Sequence, residues 1–356
     1  EFHDLLTDTL KRLPTIGFLD VAAPFIRLGL RELSAGAAAL ARRRAACPFE
    51  TEAVGRMFFT DLAQALMRML GRTLVLELNV ARLEGSLTGA TPEERFASFV
   101  ARFHDLASLR AFFEEYPVLA RLIAEQTSRW VAVTLELLER LSEDFEALEN
   151  AFAGGGRLGS LVEAVGGLAD PRGGGRSVVI AKFGSGTRIV YKPKSLAAEQ
   201  HFQDILRWLG TKGFATEFRT LRILDRGSHG WAEFAAAQEC RTPEEVSRFY
   251  QRTGAYLALL YVMDATDLHA GNIIASGEHP VLVDLEALFH PHRSTRVDRP
   301  EASADRLADR FVRGSVLRIG LLPERLWGNS DHDGVDISGL GGAPGQLTPH
   351  AVAAWE

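Results

Sequence analysis

The densest chemistry in this 356-residue chain lies in Asp267-Leu268-His269-Ala270-Gly271-Asn272 and, past a short apolar ribbon, in Asp284. These residue types at these spacings suit phosphoryl transfer from a nucleotide. One carboxylate orients an acceptor hydroxyl, a carboxamide five positions on offers its oxygen to a divalent cation, and a second carboxylate holds that cation on the phosphates. Asp267, Asn272 and Asp284 stand at those three places. The fourth part is a strand lysine that neutralises phosphate charge, and Lys192 closes the run Thr187-Arg188-Ile189-Val190-Tyr191. Pro193 ends that strand, so Lys192 is the last residue a sheet would hold and is preferred to Lys194. A solvated strand end is the alternative for either. Only five of the 40 basic residues are Lys (Lys11, Lys182, Lys192, Lys194, Lys212), and three fall between 182 and 194, where a compact ammonium would be wanted instead of a planar fork.

His269 sits inside the same string, where an imidazole could hydrogen-bond Asp267 or a phosphate, or pin the loop backbone. Glu286, two residues past Asp284, falls on the same side if strand alternation persists and could assist metal or acceptor binding. A solvated carboxylate past a strand end is the competing reading. A partner for Lys192 would be Glu199 on the next helix, although an exposed helix Glu is the simpler expectation there. Gly173-Gly174-Gly175 and Gly184-Ser185-Gly186 could form nests over phosphates, but plain turns are preferred. Asp331-His332-Asp333-Gly334-Val335-Asp336 lacks the spacing and closing Glu of a calcium loop and reads as solvated.

The elements that must position these residues follow from periodicity and punctuation. From Leu5 to about Phe152 the pattern is helical. Thr51 through Leu70 carries Val54, Phe58, Leu62 and Leu66 on one face. Thr91-Pro92-Glu93-Glu94 is a capping box that starts a helix before Phe96, Phe99, Val100 and Phe103. Further helices are expected over Leu109 to Glu115, over Val118 to Thr127 after a break at Pro117, and over Trp130 to Leu148. A boundary falls at Gly154-Gly155-Gly156. Beyond it come a hairpin, Arg176 to Phe183 and Thr187 to Lys192 around Gly184-Ser185-Gly186, and a helix from Ser195 to Leu209. A second hairpin pairs Phe218 to Leu224 with Trp231 to Phe234. Thr242-Pro243-Glu244-Glu245 repeats the capping box and opens a helix to about Met263. The polar loop and a ribbon made of Ile273-Ile274, a Ser276-Gly277 turn and Val281-Leu282-Val283 complete the series.

Composition narrows the function classes. A net charge of −6, with 46% hydrophobic and 24% charged residues, is an ordinary soluble profile and argues against a chain that wraps nucleic acid or coats an anionic membrane. Cys47 and Cys240 stand far apart with no zinc-site spacing, so neither a disulfide framework nor a Cys-based zinc site is expected. No apolar stretch of membrane-spanning length occurs and no secretory pattern opens the chain, which points to a cytoplasmic home. The ends, Glu1-Phe2-His3 and Trp355-Glu356, suggest a piece of a longer protein.

The order hairpin, Lys-bearing strand, helix, hairpin, long helix, polar loop, ribbon is that of a protein-kinase-like fold. The expected class is α+β, a two-lobed protein- or lipid-kinase-like architecture with a large helical N-terminal addition and an incomplete C-terminal lobe. Residues 1–155 form the helical region, 156–240 the kinase-like N-lobe, and 241–356 the start of the C-lobe. The string departs from ordinary protein kinases, because Ala265-Thr266 replaces the usual His-Arg and Leu285-Glu286 replaces Phe-Gly after Asp284.

At these residues the chain resembles the dehydratase part of class II lanthipeptide synthetases. The strings that carry the resemblance are Leu76 to Leu83, Thr91 to Phe96, Tyr116 to Arg121, Val190 to Ser195, Ala265 to Asn272 and Pro280 to Phe289. It runs from about residue 40 to the end. The resemblance implies a bacterial, lipid-kinase-like enzyme that uses ATP and Mg²⁺ on a precursor peptide whose leader is recognised away from the chemistry. Ser or Thr is phosphorylated, and the phosphate is then eliminated to leave dehydroalanine or dehydrobutyrine. By position, the phosphorylation set falls on Lys192, Asp267, His269, Asn272, Asp284 and Glu286. The family's Asp-x-His of the elimination step falls on Asp170-Pro171-Arg172, where Asp170 matches and Arg172 replaces His. The family's Arg and Thr for that step, and its zinc cyclase, are expected beyond Glu356. A phosphotransferase without elimination and a non-catalytic peptide-binding fragment remain the alternatives.

Overall fold

The computed structural model describes residues 16–44, 47–167, 173–289, 304, 308, 311, 312, 314–326 and 335–341. The chain divides into two compact units, Glu1–Lys194 and Ser195–Glu356. The change from helix to strand falls near the expected glycines, between Phe152 and Leu161, but the units divide only after the first hairpin.

In the first unit a 3-10 turn over Ile16–Ala22 leads into α1 (Ala23–Arg43), followed by α2 (Thr51–Leu83), α3 (Pro92–Ala101), α4 (Leu106–Glu115) and α5 (Pro117–Phe152). The four-residue recurrence in α2 runs well past Leu70: Val54, Phe58, Leu62, Leu66, Leu70 and Leu74 are all buried. They pack with Ile26, Leu33 and Leu40 of α1 and Ile123, Leu138 and Leu141 of α5, and the buried Trp130 indole donates to the Phe58 carbonyl at 3.0 Å. Thr91 and Glu94 form the expected reciprocal capping box. The two helices expected over 118–127 and 130–148 are one. Pro117 starts it at the first helical position, where no N–H is needed, and no Gly or Pro interrupts it afterwards.

Three antiparallel strands complete this unit: β1 (Leu161–Val165), β2 (Val179–Phe183) and β3 (Arg188–Lys192). The sequence reading missed β1, whose pairing shifts register between Leu161 and Glu163, so that a simple alternation is lost. The β2–β3 hairpin matches the expectation, with Val179 opposite Tyr191 and Lys182 opposite Arg188.

The second unit begins with α6 (Ala197–Thr211) and a hairpin of β4 (Ile223–Asp225) and β5 (Gly230–Glu233). Then come α7 (Pro243–Val262) and the ribbon of β6 (Ile273–Ser276) and β7 (His279–Leu282). Thr242 caps α7 by accepting from the Glu245 N–H, but Glu245 returns its bond to Arg241 N–H, one residue outside the box. A last pair, β8 (Arg325–Leu326) and β9 (Val335–Asp336), puts two residues of the expected solvated loop into a strand. The core gathers Phe202 and Leu206 of α6, Tyr256 and Leu260 of α7, Leu268, Leu282, Leu285, Ile319 and Leu321. Leu268 and Leu285 belong to the polar segments themselves, so the loop and the stretch after the ribbon are both anchored to this core by apolar side chains. Among the described residues no helix is long and apolar enough to cross a membrane.

Candidate active site

The stretch from Met263 to Asn272 is built by backbone hydrogen bonds to four neighbours. Ala265 N–H caps α7 at the Leu260 carbonyl, Thr266 N–H donates to Ala287 O, Leu268 N–H to Ile319 O at 2.8 Å, and Ala270 N–H to Ile337 O. Asp264 (φ 55°) and Asp267 (φ 62°) are left-handed, a conformation that costs a non-glycine residue of order 1 kcal/mol and persists only where the surroundings over-determine it. Backbone N–H groups are thereby engaged while two polar side chains stay outward: Asp267 and His269 are exposed and Leu268 is 2% exposed.

The segments that carry the three residues expected to act together are linked through backbone hydrogen bonds. Asn272 Nδ2 donates to the Asp267 carbonyl at 2.9 Å. That bond fixes the carboxamide and leaves Oδ1 without a hydrogen bond among the described residues, the state required of an oxygen ligand for a hard cation. The ribbon supplies the rest. Ile273 pairs with Leu282, and Val283 N–H donates to Asn272 O at 3.0 Å, so Asn272 and Asp284 flank the same open end of β6–β7. The Asp267 carboxylate makes no hydrogen bond or ion pair among the described residues. Among the described residues no group of three or more His, Cys, Asp and Glu gathers there either. A Mg²⁺ ion asks for less, since one or two carboxylates plus phosphate oxygens suffice, so this donor set fits an ion that arrives with a nucleotide.

One of the roles open to His269, pinning the loop, is seen in its contacts. Its Nδ1 accepts from Gly271 N–H at 3.0 Å and its carbonyl accepts from Asn272 N–H at 2.9 Å, so it pins the loop. An accepting Nδ1 places the ring proton on Nε2. The exposed edge of the imidazole is therefore a donor, suited to an anionic oxygen and unable to take a proton there. The strand alternation that would put Glu286 on the side of Asp284 does not reach it: β7 ends at Leu282, and Glu286 is exposed at the start of a turn.

The ribbon is clamped to α7 by residues the sequence reading did not select. The buried Arg252 donates through Nε to Glu217 O, through Nη1 to Glu278 O and through Nη2 to Glu278 Oε1, each at 2.9 Å. Arg248 binds the same carboxylate, and hydrogen bonds from Arg248 first, with Arg252 beside it, hold Glu278 below the ordinary carboxylate range. The signal was present in the sequence. Arg252 shares the apolar face of α7 with Phe249, Tyr256 and Leu260, where a charged residue needs built partners.

In the other unit, β3 ends at Lys192 as expected; Lys192 is 8% exposed, whereas Lys194 is half-buried. Its neighbour Tyr191 is also buried, which pushes the phenol up, and its hydroxyl accepts from Arg140 at 2.5 Å. Glu136 joins Arg140 to Arg176, so the strand end is tied to α5. Glu199 lies in the first turn of α6 and is 5% exposed, against the simpler expectation of an exposed carboxylate. The Gly184–Gly186 alternative is settled in favour of a turn. Its three N–H groups donate to the carbonyls of Ser160, Leu158 and Phe183, leaving none for a phosphate. Asp170 and Arg172 lie outside the described residues.

Comparison with known proteins adds two findings. Residues 116–356 match the family described as "Domain of unknown function (DUF4135)", which spans the ribbon, the loop and Lys192. The "Lacticin 481/lactococcin biosynthesis protein LcnDR2" of Lactococcus lactis subsp. lactis is 26% identical over 276 residues, covering 74% of this chain and 29% of that protein. The chain therefore spans under a third of the length of that relative.

Proposed function

We propose, for a chain that belongs to the DUF4135 family and whose resemblance to class II lanthipeptide synthetases holds, a role in lanthipeptide maturation as a kinase-like dehydratase of a precursor peptide. The observation that carries the reading is that Asn272 and Asp284 flank one end of the β6–β7 ribbon, with the Asn272 amide bonded to the backbone of Asp267. In the proposed reaction Asp267 orients a Ser or Thr hydroxyl of the peptide, whose oxygen bonds to the γ-phosphorus of ATP as the bond to the β-phosphate oxygen breaks. The hydroxyl proton is accepted at the Asp267 carboxylate, and ADP leaves. Asn272 Oδ1 and the Asp284 carboxylate would hold Mg²⁺, which neutralises charge on the phosphates when bound. Lys192 is proposed to neutralise phosphate charge, His269 to donate from Nε2 to an anionic oxygen, and Glu286 to assist metal or acceptor binding.

In the second half-reaction the α-proton of the phosphorylated residue is removed, the carbon–oxygen bond breaks, and phosphate departs from a new double bond. Arg172 remains protonated at any working pH, so its proposed part is to hold the departing phosphate, with Asp170 beside it in sequence and another group taking the proton. Intact-mass analysis of the precursor peptide co-expressed with the intact protein tests the whole reading. Loss of water at Ser and Thr is expected. Peptide that stays phosphorylated would leave a phosphotransferase without elimination, and unmodified peptide would leave only a binding role.

A further inference from the structure

The turn before Asp267 lacks the His-Arg that precedes this aspartate in ordinary protein kinases, yet Asp264 and Asp267 are both held left-handed around Ala265-Thr266. A downstream arginine meets that turn. Arg318 Nη2 lies 2.6 Å from Asp264 Oδ1 and donates to the Tyr261 carbonyl at 2.8 Å, which the Asp264 N–H also reaches at 3.3 Å at the end of α7. Its guanidinium lies 4.6 Å from the centre of the Tyr261 ring, and its side chain is only 12% exposed. The next residue, Ile319, accepts Leu268 N–H at 2.8 Å, and Tyr261 Oη donates to Gly314 O at 3.2 Å. The 314–319 segment thus grips both ends of the turn, its start at Asp264 and its exit at Leu268.

We propose that Arg318 is a positioning residue for Asp267: its charge-assisted bond to Asp264 and its stack on Tyr261 fix the turn in the conformation that presents the Asp267 carboxylate. A guanidinium suits this place because one planar group pairs with a carboxylate, donates to a carbonyl and stacks on a ring at once. Lysine could supply the charge alone.

The inference rests on the proposed role of Asp267, so the test has an arm that does not need activity. Hydrogen exchange in the intact protein should show faster exchange of the Ala265 and Leu268 amides in Arg318→Met, with amides inside α7 unchanged. Arg318→Lys should fall between wild type and Arg318→Met. In peptide phosphorylation, Arg318→Met should lower kcat on the order of 10²-fold through misplacement of the carboxylate, with KM for ATP and peptide held within about twofold and partial recovery in Arg318→Lys. Unchanged exchange at Ala265 and Leu268, or a raised KM with unchanged kcat, would overturn the proposal. If Arg318→Met loses α7 protection as well, the lysine variant decides: faster exchange confined to the turn supports the proposal, and wild-type exchange there overturns it. If the wild-type protein phosphorylates no peptide, the functional reading fails while the exchange arm still decides what Arg318 holds.

Discussion

Two polar connections, both plausible in sequence as phosphate sites, differ in where their hydrogen-bonding capacity goes. At Gly184–Gly186 the backbone N–H groups are all engaged by carbonyls of the same unit, and the side chains offer only Ser185, which bonds Thr187. At Asp264–Asn272 the backbone is engaged as well, but the side chains of Asp267 and His269 remain exposed and the Asn272 carboxamide is fixed by one end only. A glycine turn binds phosphate through free amides and a side-chain loop through fixed donors and carboxylates. Satisfying the backbone therefore disarms the first and pre-organises the second.

The largest effect that follows is at Asp284. Asp284→Asn in the intact protein should reduce peptide phosphorylation on the order of 10³-fold or more while the fold survives, because the charge proposed to hold a cation on the phosphates is lost. Phosphorylation at the wild-type rate would break the assignment of chemistry to the ribbon end. Lys192→Ala should cost on the order of 10²-fold, and Lys194→Ala far less, measured by the same assay. Reversed phenotypes would move the phosphate contact past the end of β3.

The first unit satisfies its turns from neighbours even where the acceptor is ionisable. The Asp61 carboxylate accepts from Gly166 N–H, and burial, opposed by that bond and by Arg68, raises Asp61 from 3.8 to about 6. Its folded pKa is the higher one, so the folded state binds the proton more tightly and stability declines as pH rises from about 4 to about 6, by about 3 kcal/mol at most. Asp61→Asn keeps an acceptor for Gly166 and removes the charge. Thermal unfolding of that variant should be flat across this window and lie above wild type at neutral pH. The smallest effect is at Gly186, whose φ of 86° disfavours a Cβ. Gly186→Ala should lower stability by about 1 kcal/mol in denaturant unfolding and leave phosphorylation unchanged, whereas a loss of transfer would restore the glycine turn as a phosphate site.

Much of this arrangement was legible because local signals were strong. The Thr91 capping box, the four-residue recurrence of α2, Pro193 after Lys192, and the Asp-Leu-x-x-x-Asn string before an apolar ribbon each carry their own physics. What escaped was non-local. β1 has an irregular register, Glu199 is buried although its sequence neighbourhood is that of a surface helix, and Arg252 and Arg318 find their partners only when distant segments meet. The link from Glu286 to Asp284 assumed a strand that stops at Leu282. Charged residues on the apolar face of a helix, as at Arg252, mark such partners before they can be named.

The central claim is that Asp267, on its pre-formed loop, serves phosphoryl transfer. Single-turnover transfer of a labelled γ-phosphate to the precursor peptide, comparing the intact wild-type protein with Asp267→Asn, tests it most directly. The account predicts label on peptide Ser or Thr with wild type and a loss on the order of 10²-fold or more with Asp267→Asn, while both proteins gain the same thermal stability from ATP with Mg²⁺. Equal labelling by the two proteins would contradict it.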